Sequence, residues 1–290
     1  PYISTMMVIA PDGPYCIYDS SAIGEVTGNG NGVIDAGESF LMGIQVKNVG
    51  PDTAFNVDAT LSTDDTLVTI TDNSEYYGTI AGDNGESFIP DGFAFSADPA
   101  VPDGHRITFT LTVTGTNRDT WEGNFTVQVH APELTFSLVT IDDASGNGNG
   151  ILDPGETADF AVTLSNFGSG EAFDVQADLT ATDSYVTISD GYGQFGHLDS
   201  LSGVAVSSVD GYTVSASSSC PMGYAVTFML NVTGTNGISV QLPFDVVIGD
   251  RVVFYTDDFS FDQGWSGLGG SAEWTIGAAT GGSGSDSYGG

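Results

Sequence analysis

Along most of the chain apolar and polar residues alternate, and the alternation restarts halfway. Phe40, Met42, Ile44 and Val46 share one face of a segment, and Phe55, Val57, Ala59 and Leu61 share one face of the next. Val68 and Ile70 follow, and Ile107, Phe109, Leu111 and Val113 then oppose Arg106, Thr108, Thr110 and Thr112. Phe125, Val127 and Val129 close the set. Period-two patterning of this kind marks strands that are buried on one face and wet on the other. After His130-Ala131-Pro132-Glu133 the pattern returns as Phe160, Val162 and Leu164, then as Phe173, Val175, Ala177 and Leu179. Val226, Phe228, Leu230 and Val232 precede Phe244, Val246 and Ile248 at its end. The register is nearly constant. Gly32 to Gly150 and Val68-Thr69-Ile70 to Val186-Thr187-Ile188 are each 118 positions apart, and Val113-Thr114-Gly115-Thr116-Asn117 to Val232-Thr233-Gly234-Thr235-Asn236 is 119. These are two copies of one domain with one residue inserted between the markers.

About seven or eight short strands per copy, with turn signals every ~8–12 residues, predict an all-β protein of two tandem immunoglobulin-like β-sandwiches. A closed barrel is the alternative. Forty glycines and a scarcity of helix formers agree with many turns and few helices. The expected boundaries are 14–130 and 131–249. Residues 1–13 form an N-terminal strand extension carrying the apolar run Ile3 to Ala10, suited to pairing with a neighbour's sheet edge. Residues 250–290 read as the start of a further β domain or a Gly/Ser-rich tail. The chain reads as an internal piece of a longer, processed polypeptide.

Charge narrows the partners. Four basic residues (Lys47, Arg106, Arg118, Arg251) against 38 acidic ones give a net charge of −34. Nucleic acid and anionic membrane surfaces are excluded, because each needs a basic patch. No apolar run reaches the ~18 residues of a membrane-spanning helix, so no membrane insertion is expected.

The candidate chemistry lies in a loop present in both copies. Thr27-Gly28-Asn29-Gly30-Asn31-Gly32-Val33-Ile34-Asp35-Ala36-Gly37-Glu38 returns as Ser145-Gly146-Asn147-Gly148-Asn149-Gly150-Ile151-Leu152-Asp153-Pro154-Gly155-Glu156. Oxygen-bearing side chains stand at loop positions one, three, five, nine and twelve, with glycine at six, which is the order of an EF-hand-type calcium loop. The spacing predicts two Ca²⁺ sites, one per repeat. Their ligands are Thr27, Asn29, Asn31, Val33 (through its backbone carbonyl), Asp35 and Glu38, and correspondingly Ser145, Asn147, Asn149, Ile151, Asp153 and Glu156. Calcium is a hard cation that takes six to eight oxygens. Only two full carboxylates stand in each loop, so the expected affinity is weak, on the order of 10⁻⁴ to 10⁻³ M, and such sites fill outside the cell. The β-forming flanks place each loop between strands rather than helices. Glu25, Asp142 and Asp143 lie close enough in sequence to add ligands. A filled site is expected to stiffen the junction with the preceding domain. A plain turn explains the glycines and asparagines, but not the Asp-x-x-Glu that ends both loops.

Catalytic constellations are missing from the sequence. His105, His130 and His197 have no metal-ligand spacing, and neither a Gly-x-Ser-x-Gly elbow nor a P-loop is present. The chain is expected not to be an enzyme. Cys16 and Cys220 fall in different repeats, so they read as buried free thiols or as bonds to another chain. Among the three tryptophans, Trp265 and Trp274 are candidates for stacking on sugar, against a core role.

The repeat resembles the tandem immunoglobulin-like modules of large secreted bacterial surface proteins, including CARDB-type adhesion domains and the accessory domains of gingipain-like peptidases. The resemblance rests on Gly-Asn-Gly-Asn-Gly-(Val/Ile)-(Ile/Leu)-Asp-x-Gly-Glu and on Asn48-Val49-Gly50 and Asn166-Phe167-Gly168, and covers roughly residues 15–248. Gly264-Trp265 and Trp274-Thr275-Ile276-Gly277 are similar to the opening of jelly-roll modules found beside them. It implies an extracellular or cell-surface setting and a structural, adhesive or filament role. The implied partners are other copies of the chain, other surface proteins or glycans. The alternative it implies is a carbohydrate-binding accessory region of a secreted hydrolase or peptidase.

Overall fold

Each alternating pattern closes on itself as a pair of sheets. The computed structural model describes residues 11–116, 118–201, 206–207 and 211–250. The expected strand Ile3 to Ala10 and the segment with Trp265 and Trp274 lie outside the described residues. In the first repeat the strands are β1 (Cys16–Thr27), β2 (Ser39–Asn48), β3 (Ala54–Ser62), β4 (Val68–Asp72), β5 (Ser74–Ile80), β6 (Gly85–Ala97), β7 (Arg106–Gly115) and β8 (Arg118–Gln128). One sheet has the order β1-β2-β6-β4 and the other β5-β3-β7-β8.

The second repeat contributes β9 (Leu134–Asp142), β10 (Thr157–Asn166), β11 (Ala172–Thr180), β12 (Val186–Asp190), β13 (Tyr192–Leu198), β14 (Val206–Ser207), β15 (Tyr212–Ala216), β16 (Tyr224–Thr233) and β17 (Ser239–Ile248), with a 3-10 turn at Thr235–Gly237. Its sheets are β9, β10, β15 and β12, with β14 also on β10, and β13-β11-β16-β17. Pairing within these sheets is antiparallel, as the hairpin spacing requires. In the first repeat β1, β2 and β6 face β3, β7 and β8, and in the second β9, β10 and β15 face β11, β16 and β17, which is the immunoglobulin-like division.

The inward faces are those the alternation marks. Phe40, Met42, Ile44 and Val46 on β2, and Ile107, Phe109, Leu111 and Val113 on β7, are buried, as are Phe160, Val162, Leu164, Val226, Phe228 and Leu230 in the second copy. The sheets of each sandwich meet through edge-to-face aromatics, Phe95 on Phe109 at 5.3 Å and Phe160 on Phe228 at 5.6 Å. Two separate cores result, Cys16 to Ala131 and Leu134 to Ile248. Cys16 and Cys220 are buried free thiols, one in each core.

One face departs from strict alternation. Phe55 is 47% exposed, while its neighbours Ala54 and Val57 are buried. Asn56 takes a positive φ of 47°, and the β3–β5 register slips between Ala54 and Val57. The extra residue is a bulge that exchanges the two faces. The second repeat repeats the device, with Asp174 at φ 50° and a slip between Ala172 and Val175.

Asn48 and Asn166, both fully buried, pin the first strand of each sandwich. Asn48 Oδ1 accepts from Tyr15 N (2.9 Å) and Gly50 N (3.1 Å), and its Nδ2 donates to Asp52 O (2.8 Å) and Ile80 O (3.3 Å). Asn166 does the same with Glu133 N (3.0 Å), Gly168 N (3.1 Å) and Gly170 O (2.9 Å). An alanine there strands several buried backbone groups at ~1–3 kcal/mol each. Asn166→Ala is therefore expected to lower stability by about 3 kcal/mol in urea unfolding, and Asn166→Asp to lose almost as much, because aspartate cannot donate.

Candidate functional site

Each repeated loop turns its own amides onto its own carboxylates. In the first copy Asn29 Nδ2 and Asn31 Nδ2 donate to Asp35 Oδ2 at 2.8 and 2.9 Å. In the second, Asn147 Nδ2 and Asn149 Nδ2 donate to Asp153 Oδ2 at 2.7 and 2.9 Å. The twelfth-position glutamates close the ring: Glu38 Oε1 accepts from Asn29 N at 3.0 Å and Glu156 Oε1 from Asn147 N at 3.1 Å. Asn29 Oδ1 and Asn31 Oδ1 accept from Asn31 N and Val33 N, at 2.9 and 2.8 Å, which are local Asx turns. Gly32 carries the turn at φ 77°, where a side chain is disfavoured.

Positions three, five, nine and twelve thus converge in both loops, and position one does not. Thr27 stays in the ladder opposite Ser39, exposed, and Ser145 Oγ donates to Thr157 O at 3.2 Å. A carboxylate two residues earlier takes its place beside the loop. Glu25 Oε1 accepts from Gly30 N at 2.6 Å, and Asp143 accepts from Asn149 N (3.0 Å) and Gly150 N (2.9 Å). Those backbone donors hold the Asp143 carboxyl below its usual range. Val33 and Ile151 bring their backbone amides to Asn31 and Asn149, each at 2.8 Å.

The first loop differs from the second in burial. Asp35 is 5% exposed and Glu38 0%, whereas Asp153 and Glu156 are half-buried. Asp35 Oδ1 and Glu38 Oε2 are buried with no hydrogen-bond partner. Burial pushes the Asp35 carboxyl up against the opposing pull of its asparagine bonds. Burial also pushes Glu38 up to about 7, with Asp35 and Glu25 adding repulsion against the bond from Asn29. Two orphaned carboxylate oxygens in one enclosed place leave a large desolvation cost unless a cation meets them. The donor set, all oxygen and anionic, fits a hard divalent ion.

The cover over the first loop comes from the second repeat, which sequence reasoning missed. Asn236 Nδ2 donates to Glu38 Oε1 at 3.0 Å. The first loop lies against the following repeat, and the segment before residue 11, toward which the sequence predicts stiffening, falls outside the described residues. The chain returns past it after β8, with His130 N donating to Ile34 O (2.8 Å) and Ala36 N to His130 O (2.9 Å). Asp103 bridges the same seam, accepting from Ser169 N and Ala131 N, each at 3.0 Å, and from the Ser169 hydroxyl. A cleft of about 530 Å³ opens there, lined in part by Asp35, Pro99, Pro102, Leu134 and Ile238.

The histidines, isolated in sequence, acquire partners in space. His105 Nε2 lies 2.6 Å from Asp65 Oδ2, and His130 Nδ1 lies 2.7 Å from Ser169 Oγ. His197 lies near Glu171 and Asp199, with one ligand atom from each of the three within 4.8 Å of the others, and it stacks on Phe173. The bulge that turns Phe173 outward builds that contact, and no spacing rule exposes it. Trp121 is a core residue, 5% exposed.

No family model and no curated protein matches the chain. Among solved structures, a red sea bream transglutaminase is 15% identical over 80% of this chain at a TM-score of 0.29, and this chain spans 31% of its length. The C-terminal domain of the Streptococcus agalactiae AgI/II polypeptide BspA is 10% identical, with 79% of this chain and 100% of that one covered, at a TM-score of 0.36. Likenesses at these scores carry no functional argument.

The raised Glu38 pKa gives a pH signature. A carboxyl that titrates near 7 when folded and near 4.5 when unfolded stabilises the fold below about 4.5, and that contribution is lost as pH rises through 7. In chelator, the melting temperature of wild type is expected to fall across this window relative to Glu38→Gln. The difference is on the order of 3 kcal/mol, read by calorimetry at a series of pH values.

Proposed function

We propose that this chain is an extracellular, calcium-stabilised structural and adhesive module of a long surface protein or filament subunit. The observation that carries the reading is the pair of orphaned oxygens, Asp35 Oδ1 and Glu38 Oε2, buried in a loop whose ligand order is that of a calcium site. Positions three, five, nine and twelve converge again in the second repeat, which supports two sites. In this reading Asn29, Asn31, Asp35 and Glu38 hold one ion, and Asn147, Asn149, Asp153 and Glu156 the other. Glu25 and Asp143 supply the charge that Thr27 and Ser145 lack. A bound ion supplies countercharge and cross-links each loop. Weak sites of this class fill where calcium is millimolar, which supports a setting outside the cell.

The surface fits such a setting. At a net charge of −34 the chain repels nucleic acid and anionic membrane, and screening in saline surroundings lowers its self-repulsion. Among the described residues no helix is long and apolar enough to cross a membrane. Its partners in this role are other copies of itself or other surface proteins. The reading as a carbohydrate-binding accessory region rests on Trp265 and Trp274, and nothing among the described residues favours it.

Millimolar calcium is about one to ten times the expected Kd, and it stabilises a native-only site by roughly 0.4 to 1.4 kcal/mol. Thermal unfolding of the whole chain is expected to shift upward by several degrees on adding millimolar calcium after chelation. Asp35→Asn with Glu38→Gln removes part of that shift, and adding Asp153→Asn with Glu156→Gln removes the rest. A wild-type transition indifferent to calcium refutes the proposal.

A further inference from the structure

We infer that the ion of the first loop is held from both repeats, Asn236 of the second repeat supplying a ligand, so that calcium occupancy locks the two sandwiches together. The inference rests on the calcium reading of that loop and deepens it. Asn236 lies 198 residues from Glu38 in sequence, yet its side-chain amide reaches the Glu38 carboxylate at 3.0 Å. It meets the carboxylate that is fully buried and carries an oxygen without a partner. Among the described residues no other side chain of the second repeat hydrogen-bonds the loop's carboxylates.

The seam is built for close approach at this point. A Cβ added to Gly37 would stand 2.0 Å from Asn236 O, and one added to Gly237 would stand 2.7 Å from Pro99. Asn236 itself holds φ 55° and ψ 24°, a left-handed conformation that asparagine and glycine tolerate best. That backbone need accounts for an asparagine in the turn, but not for a side chain aimed at a buried carboxylate across a domain boundary.

The chemistry of a carboxamide suits a switch between two states. Without an ion, the amide donates to Glu38 and partly neutralises it. With a divalent ion between them, a half-turn of the amide presents Oδ1, and the same group becomes a neutral ligand. The second repeat is thereby tied to the ion as well as to the protein. The second loop has no such cross-repeat bond among the described residues, so the two sites are predicted to differ in kind.

The test uses the whole chain with the second loop silenced by Asp153→Asn and Glu156→Gln, so that calcium titrated calorimetrically reports the first loop alone. Asn236→Gly keeps the left-handed backbone and deletes the amide, and Asn236→Asp keeps the reach and adds charge. Asn236→Gly is expected to weaken calcium about tenfold, equivalent to ~1.4 kcal/mol, and Asn236→Asp to strengthen it. Small-angle X-ray scattering of the parent chain is expected to narrow to one inter-repeat arrangement on adding calcium, and that of Asn236→Gly to stay unchanged. A first loop that binds calcium with equal affinity in all three proteins, with no change in scattering, overturns the lock and leaves the calcium reading intact. No calcium binding by the parent overturns both.

Discussion

Burying negative charge without a counterion is the constraint around which this molecule is arranged. The first loop places Asp35 and Glu38 side by side, away from water, and satisfies only one oxygen of each. Several neighbouring groups reduce that cost, although Glu25 adds to it. Asparagine amides point inward, backbone N–H groups of the turn face Glu25, and the second repeat contributes an amide of its own. These groups offset the desolvation only in part, which is why burial still pushes the Glu38 carboxyl up to about 7.

The two copies solve the same local problem in different surroundings. Their sequences agree at most loop positions, and so do their internal hydrogen bonds. Burial separates them: Asp153 and Glu156 keep partial access to solvent, and Glu156 Oε2 is satisfied by Asp153 N at 3.1 Å. A repeated motif therefore carries one chemistry and two environments. The environment, set by what packs over the loop, governs the electrostatics.

How much of this was readable from residues alone depends on the length scale. Alternation at Phe40 to Val46 or Ile107 to Val113 dictates which face is buried, because the side-chain period of a strand is two. The same rule fails at Phe55, where a single left-handed residue, Asn56, shifts the phase, and an asparagine between two strand formers gives no warning of it. Within the loop, spacing picks out the four positions that converge in each copy, whereas Thr27 and Ser145 stand apart from them. Thr27 stays paired with Ser39 at the end of β1, Ser145 turns back onto Thr157, and Glu25 or Asp143 reaches the turn instead. Asn236 was visible only as part of a repeated Thr-Asn pair. Its role depends on how one sandwich docks on the other, which no local pattern encodes.

The way each sandwich releases the chain has a mechanical meaning. His130 N and Gly249 N, at corresponding points past the last strand of each repeat, donate to Ile34 O and Leu152 O at 2.8 and 2.9 Å. The C-terminal exit of each sandwich is thus fastened to its acidic loop, while the N-terminal entry is fastened to the buried asparagine. If the loops hold calcium as proposed, each of these exits stiffens or yields with the ionic makeup of the fluid around it.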